Sequence, residues 1–128
     1  MKKLIAFHTI LGAFAAWSHA ADEVSGGQKA PAPKSGVDLT VSGEVLDMAC
    51  YLDHGASGEK HAGCAEHCIS RGLPGGLKSA DGTVYLLIGE HKPANAELAQ
   101  YAAKTVTVKG KFVNRDGMNL LENIEIVK

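Results

Sequence analysis

Two Asp-Gly pairs, Asp81-Gly82 and Asp116-Gly117, each separate two short runs that are rich in β-branched, aromatic and aliphatic residues. An Asp-Gly pair between such runs is typical of the tight turn of a β-hairpin, where the chain needs residues that tolerate positive φ angles. The stretches GLKSADGTVYLLIGE and TVTVKGKFVNRDGMNLLENIEIVK therefore predict two hairpins, which supply four strands.

A further strand is indicated before these hairpins, in the stretch VDLTVSGEVLDMACYL. Apolar residues recur there with a period of two, at Val37, Leu39, Val41 and Val45. This period is typical of a strand with one buried face, and Gly43 predicts a bulge or bend in it. We expect this first strand to end at Cys50.

Two helices are predicted between the strands. The first covers residues 59–71 and is followed by Gly72 and Pro74, which are typical of the end of a helix. The second lies in the stretch PANAELAQYAAK, which is rich in good helix formers. Its apolar residues Leu98, Tyr101 and Ala102 fall at positions i, i+3 and i+4 and therefore share one face.

The predicted order is strand, helix, strand, strand, helix, strand, strand. Five short antiparallel strands with a helix between the third and the fourth match an OB-fold, a small barrel of five strands. The expected fold is thus a mainly β, OB-fold-like barrel with two helices, of which the extra one, 59–71, connects the first and second strands.

The N-terminal twenty residues have the pattern of a secretory signal peptide. Two lysines precede the apolar run LIAFHTILGAFAAW, and Ser18 and Ala20 supply the small residues of a cleavage site. The apolar run has about 14 residues, fewer than the roughly 20 that a membrane-spanning helix needs. We predict a signal peptide over 1–20, a flexible linker over 21–36 and one domain over 37–128. The mature protein is expected in the periplasm or secreted, with no membrane attachment after cleavage.

Charge and motifs exclude several classes of function. Without Lys2 and Lys3 the chain has 11 Lys and Arg residues against 14 Asp and Glu residues, so we expect no nucleic-acid partner. The sequence contains no phosphate-binding glycine loop, zinc-protease motif, nucleophile elbow or haem-attachment motif. Asp47 and Asp53 are interpreted as solvated loop acids. These features favour a binding protein, not an enzyme, with an unknown protein or small molecule as a further partner.

Several segments resemble a group of exported bacterial OB-fold-like domains of unknown function. The similarity lies in VSGEVLDMACYL, HAGCAEHC, GLPGGL, DGTVYLLIGE and KTVTVKGKFV, and it covers nearly all of the predicted domain. The group has one cysteine near the end of a strand and two more, four residues apart, on a helix. Cys50, Cys64 and Cys68 occupy these three positions. The resemblance implies the fold and export, but no reaction.

The cysteines and one histidine form a pattern that favours a metal site. On a helix with 100° per residue, His61, Cys64 and Cys68 lie within a stripe of about 60°. Cys50 lies just before the connection to this helix. Three thiolates and one imidazole are a ligand set for zinc, and thiolates also bind copper(I). We predict a zinc or copper site made by Cys50, His61, Cys64 and Cys68, with His54, in a loop, as the alternative fourth ligand.

The sequence leaves two other uses of the cysteines open. A disulfide from Cys50 to Cys64 or Cys68 would fix the added helix to the barrel, giving a disulfide-stapled adaptor that binds a protein or small ligand. Such a bridge leaves one thiol unpaired. The third use is as an accessory thiol–disulfide redox protein. Against it, Cys64 is expected about two turns into its helix and the spacing is not Cys-x-x-Cys, so both common sources of a reactive thiol are absent.

Overall fold

The computed structural model describes residues 33–127 of the chain. The predicted signal peptide and residues 21–32 of the predicted linker lie outside the described residues. The described part contains five strands and three α-helices, and two of these helices adjoin a 3₁₀ turn. In chain order they are β1 (Val37–Asp47), α1 (Met48–His54), the 3₁₀ turn Glu59–His61, α2 (Ala62–Ser70), β2 (Gly75–Ser79), β3 (Val84–Leu87), α3 (Asn95–Leu98), the 3₁₀ turn Ala99–Tyr101, β4 (Thr105–Arg115) and β5 (Met118–Val127).

The five strands close into a barrel in the order β1-β2-β3-β5-β4, with β4 returning to β1. Four neighbouring pairs are antiparallel, and β3 pairs with β5 in parallel. The prediction of antiparallel strands throughout was therefore wrong for one pair. The reason is geometric: directions cannot alternate all the way round a closed ring with an odd number of strands, so one neighbouring pair must be parallel.

β1 pairs with a different neighbouring strand at each of its ends. Residues 37–44 of β1 pair with β4, and residues 43–47 pair with β2. Gly43 and Glu44 lie in both ranges. A Cβ atom at Gly43 would overlap the carbonyl oxygen of Lys78 on β2, so this position requires glycine.

Both predicted hairpins are present. Asp116 and Gly117 form a two-residue turn between β4 and β5, with φ angles of 51° and 84° that match the turn type favoured by Asp-Gly. The turn between β2 and β3 is longer and includes Asp81 and Gly82. There the Asp81 carboxylate accepts a hydrogen bond of 2.9 Å from the backbone N–H of Thr83, which fixes the loop.

The core fills the barrel and extends under the helices. Its fully buried side chains come from every strand and from α2 and α3. The largest are Leu46, Ile69, Leu77, Leu98, Phe112 and Leu121. Of the three residues on the predicted inward face of the second helix, Leu98 and Ala102 are buried and Tyr101 is partly buried against the core. The helix is shorter than predicted, because α3 ends at Leu98 and passes into a 3₁₀ turn.

The structure has three α-helices where the sequence predicted two. The additional helix is α1, which begins where the first strand was expected to continue. β1 ends at Asp47 because the Asp47 carboxylate accepts hydrogen bonds from the backbone N–H groups of Ala49 (3.2 Å) and Cys50 (3.1 Å), which caps a helix. Gly55, with a φ of 73°, then ends α1.

The segment between β1 and β2, residues 48–74, is attached to the barrel at several points. Ala65 and Ile69 of α2 are buried in the core. The Met48 N–H donates a hydrogen bond of 3.0 Å to the Pro74 carbonyl, which closes the base of the segment. Among the described residues, no helix is long and apolar enough to cross a membrane.

Candidate metal centre

Cys50 is placed by α1, not by the end of a strand as the sequence predicted. It is the third residue of this helix, and its backbone N–H is one of the two that Asp47 caps. The cap therefore sets both the start of α1 and the position of the Cys50 side chain relative to the barrel. Cys50 is partly buried.

Cys64 and Cys68 are placed by α2. They are four residues apart, so they lie one above the other on the same side of the helix, as predicted. Their stripe adjoins the one formed by Ala65 and Ile69, which packs into the core. Burial of that neighbouring stripe turns the two cysteines towards α1. Cys64 is exposed and Cys68 is partly buried.

The Sγ atoms of Cys50, Cys64 and Cys68 all lie within 4.8 Å of one another. The point equidistant from three atoms that are 4.8 Å apart is about 2.8 Å from each, and a zinc–sulfur bond is about 2.3 Å. Inward shifts of about 0.5 Å, well within the range of a side-chain rotation, would therefore bring all three sulfurs to bonding distance of one ion. The predicted convergence of the three cysteines is confirmed.

The two candidate histidines lie next to this cluster. His61 lines a small cavity together with Cys50 and Cys64, and the ring of His54 lies 6.2 Å from the ring of His61, centroid to centroid. His54 is the last residue of α1 rather than part of a loop, and its Nδ1 lies 3.0 Å from the carboxylate of Asp53. In the described part of the chain, the close group consists of the three sulfurs, and no ring nitrogen of His54 or His61 belongs to it.

The cavity has a volume of about 10 Å³. This is close to the space that a single water molecule needs, about 10–15 Å³. The cavity therefore has room for a single water-sized ligand such as an ion, while Cys64 is also open to solvent. The cavity is lined on its inner side by Asp47, which is 3% exposed.

Asp47 also changes the chemistry of Cys50. The Asp47 carboxylate beside the Cys50 thiol, together with partial burial, raises the pKa of Cys50 from 9.0 to about 12. Partial burial and the nearby Cys64 thiol raise the pKa of Cys68. Both thiols are therefore protonated at neutral pH until something displaces the proton.

Asp47 is the functional residue that sequence reasoning missed. It was interpreted as a solvated loop acid, but it is buried between the barrel and α1. Two signals for its role are present in the sequence. An aspartate precedes the helix-forming stretch MACYLDH, and a glycine follows that stretch at Gly55, which is the usual pattern of a capped helix. The other acid, Asp53, is exposed as expected.

All three cysteines are free thiols in this structure, and none of them forms a disulfide. The expected position of Cys64 needs correction. It was predicted about two turns into its helix, but α2 begins at Ala62, so Cys64 lies in the first turn. The residues 59–61 form a separate 3₁₀ turn. The sequence suggested that Cys64 lacks both common sources of a reactive thiol, a Cys-x-x-Cys spacing and a position near a helix N-terminus. The structure supplies the second of these.

The barrel and the three-cysteine cluster are features that the sequence resemblance implied. Family membership, bacterial origin and export stay predictions. The chain matches no protein-family model, no curated protein and no solved structure.

Proposed function

We propose that this protein is a small metal-binding module, in which Cys50, Cys64 and Cys68 hold one zinc or copper(I) ion. The observation that carries this proposal is the convergence of three sulfur atoms within 4.8 Å. These sulfurs come from two separate helices, so their meeting is a property of the fold and not of one local turn. Zinc and copper(I) are the ions of choice because both bind thiolates.

The fourth ligand is His61, with His54 as the alternative. His61 is supported by its place in the cavity that Cys50 and Cys64 also line. His54 is supported by its contact with Asp53, since a carboxylate on one ring nitrogen commonly orients the other nitrogen towards a metal. A zinc ion would use four ligands, whereas copper(I) can be held by the three sulfurs alone.

The module acts as a binding protein and not as an enzyme. Support comes from the cavity beside Cys50 and Cys64, whose volume of about 10 Å³ matches a single water-sized ligand such as an ion. The bound ion would join α1 to α2 and so fix the segment between β1 and β2. We further propose that the barrel is an OB-fold, supported by its five strands and by the helix between β3 and β4. The periplasm or the cell exterior is the proposed location.

Metal titration tests this function. The reduced protein is titrated with Zn²⁺, and separately with Cu(I), in competition with a chromophoric chelator. We expect one ion per chain. Replacing any one of the three cysteines by serine should weaken binding by about 100-fold or more, because each replacement removes a direct ligand. His67→Ala is the matched control: His67 lies exposed on the same helix and its replacement should leave the affinity unchanged.

The two histidine variants identify the fourth ligand. If His61 binds the ion, His61→Ala weakens zinc binding about tenfold or more, and His54→Ala has a much smaller effect. The reverse order would assign the role to His54. Stoichiometric binding that persists after all three cysteines are replaced would contradict the proposed function.

A further inference from the structure

The three sulfurs differ in their access to solvent. Cys64 is exposed, whereas Cys50 and Cys68 are partly buried. A reagent arriving from solution therefore meets Cys64 first. The Cys64 sulfur lies within 4.8 Å of both other sulfurs, so a group that binds to it is within reach of a neighbouring thiol.

The three sulfurs also differ in which disulfides they can form. Cys64 and Cys68 are four residues apart on α2, and the Cβ atoms of such a pair are about 5–6 Å apart. A disulfide needs Cβ atoms about 3.5–4.5 Å apart, so this pair can bond only if the helix unwinds. Cys50 is on a different helix and lines the same cavity as Cys64. Cys50 is therefore the partner that can reach Cys64 by a small movement of α1.

We propose that Cys64 is a site of thiol exchange with small disulfides, and that Cys50 resolves the resulting adduct. In the first step the Cys64 thiolate attacks one sulfur of a small disulfide RS–SR. The S–S bond of RS–SR breaks, one RS⁻ leaves as RSH with a proton, and Cys64 carries the other RS group. In the second step the Cys50 thiol loses its proton and its sulfur attacks the Cys64 sulfur. The Cys64–SR bond breaks, and the second RS group leaves with that proton as RSH.

The two steps together oxidise Cys50 and Cys64 to one disulfide and reduce RS–SR to two RSH molecules. The consequence for the metal rests on the proposed function. A Cys50–Cys64 disulfide removes two of the three thiolate ligands and leaves Cys68 alone, so the ion is released. Metal binding and disulfide formation are then two alternative states of one cluster, selected by the thiol–disulfide balance of the surroundings.

Peptide mapping with glutathione disulfide tests the exchange in the metal-free protein. Cleavage after Lys60 and after Glu66 places the three cysteines on three different peptides, so each linkage can be read directly. We expect a Cys50–Cys64 linkage with Cys68 free. Cys50→Ser should accumulate glutathione on Cys64, and Cys64→Ser should react about tenfold more slowly, because only partly buried thiols remain. Cys68→Ser is the matched control and should still form the Cys50–Cys64 linkage.

Three outcomes would overturn the proposal: glutathione on Cys50 or Cys68 while Cys64 is free, a Cys64–Cys68 linkage, or no reaction at all. The release step is tested with the zinc-loaded protein. One Zn²⁺ should be released for each Cys50–Cys64 linkage formed, and zinc retained in the oxidised protein would refute the release. If the reduced protein binds neither zinc nor copper(I), the proposed function fails, while the mapping of the metal-free protein still decides the exchange site.

Discussion

Asp47 is the single residue that connects the fold to the chemistry. Its two carboxylate oxygens accept hydrogen bonds from the N–H groups of Ala49 and Cys50, and its negative charge raises the pKa of the Cys50 thiol. A buried carboxylate is stable only when it is well hydrogen-bonded, and these contacts meet that need. The same residue therefore ends β1, starts α1 and keeps Cys50 protonated.

Asp47→Asn separates these effects. The asparagine oxygen can still cap α1, but the negative charge is gone, so the pKa of Cys50 should fall from about 12 towards its ordinary value. Because alkylation uses the thiolate, and the variant has a larger thiolate fraction at pH 8–9, Cys50 should react with iodoacetamide several-fold faster there than in the unmodified protein. The rate is measured by peptide mapping.

Asp53→Asn is the control for this change, because Asp53 is an exposed carboxylate on the same helix. It should leave the alkylation rate of Cys50 unchanged. An Asp47→Asn protein in which Cys50 reacts no faster would show that Asp47 does not hold the thiol proton.

Zinc affinity should depend steeply on pH. Cys50 and Cys68 have raised pKa values, so both are protonated in the metal-free protein between pH 6 and pH 8. Binding as thiolates releases these protons, so the affinity rises with pH, by about tenfold per pH unit for each proton released. These two thiols alone contribute an increase of about 100-fold per unit, measured by chelator competition. Cys50→Ser should reduce the slope by one proton, and an affinity independent of pH would contradict the protonated state.

Among the elements, the segment between β1 and β2 carries the whole candidate site. α2 is held by Ile69 in the core and by Asn95, whose side-chain amide donates hydrogen bonds to the carbonyls of Ile69 (2.7 Å) and Leu73 (2.6 Å). α1 is short and has no buried residue, so it depends on the Asp47 cap and on its neighbours. α2 is thus anchored to the core, whereas α1 would be held in place by a bound ion or a disulfide.

Two glycine substitutions distinguish the elements. Gly63 lies in the first turn of α2 without a positive φ, and a Cβ atom added to it would have no atom within 4 Å, so Gly63→Ala should raise the free energy of unfolding by about 0.5 kcal/mol. Gly43→Ala should lower it by about 1–3 kcal/mol, because the new methyl group overlaps the backbone of β2. Urea denaturation measures both.

Zinc affinity gives the second readout for these variants. Gly63→Ala should retain the zinc affinity of the unmodified protein, because the added methyl group contacts none of the three sulfurs. A destabilised Gly63→Ala protein would mean that α2 does not have the backbone conformation described above, and a neutral Gly43→Ala would mean that β1 and β2 do not approach so closely.

For the molecule as a whole, the sequence was most informative where local patterns are strong. The two Asp-Gly turns and the alternating strands identified all five strands, and the spacing of Cys64 and Cys68 placed both on one side of a helix. Local patterns could not predict whether two neighbouring strands of the closed barrel run parallel or antiparallel. The parallel β3–β5 pair follows from closing five strands, which no single segment encodes.

The missed helix has a different cause. The first strand runs directly into DMACYL without a glycine or proline to end it, and α1 is only seven residues long, so periodicity alone could not separate strand from helix there. The cap at Asp47 decides the boundary. Because Cys50 lies beyond that boundary, the convergence of the three cysteines was predicted correctly, while the element predicted to carry Cys50 was wrong.

The metal site depends on the barrel and its added segment bringing three sulfurs from two helices to one ion. X-ray absorption at the metal edge of the zinc-loaded protein observes these sulfurs as neighbours of the ion. We expect three sulfur neighbours at about 2.3 Å, falling to two in each single cysteine-to-serine variant. A zinc ion with two or fewer sulfur neighbours in the unmodified protein would show that the three cysteines do not share it.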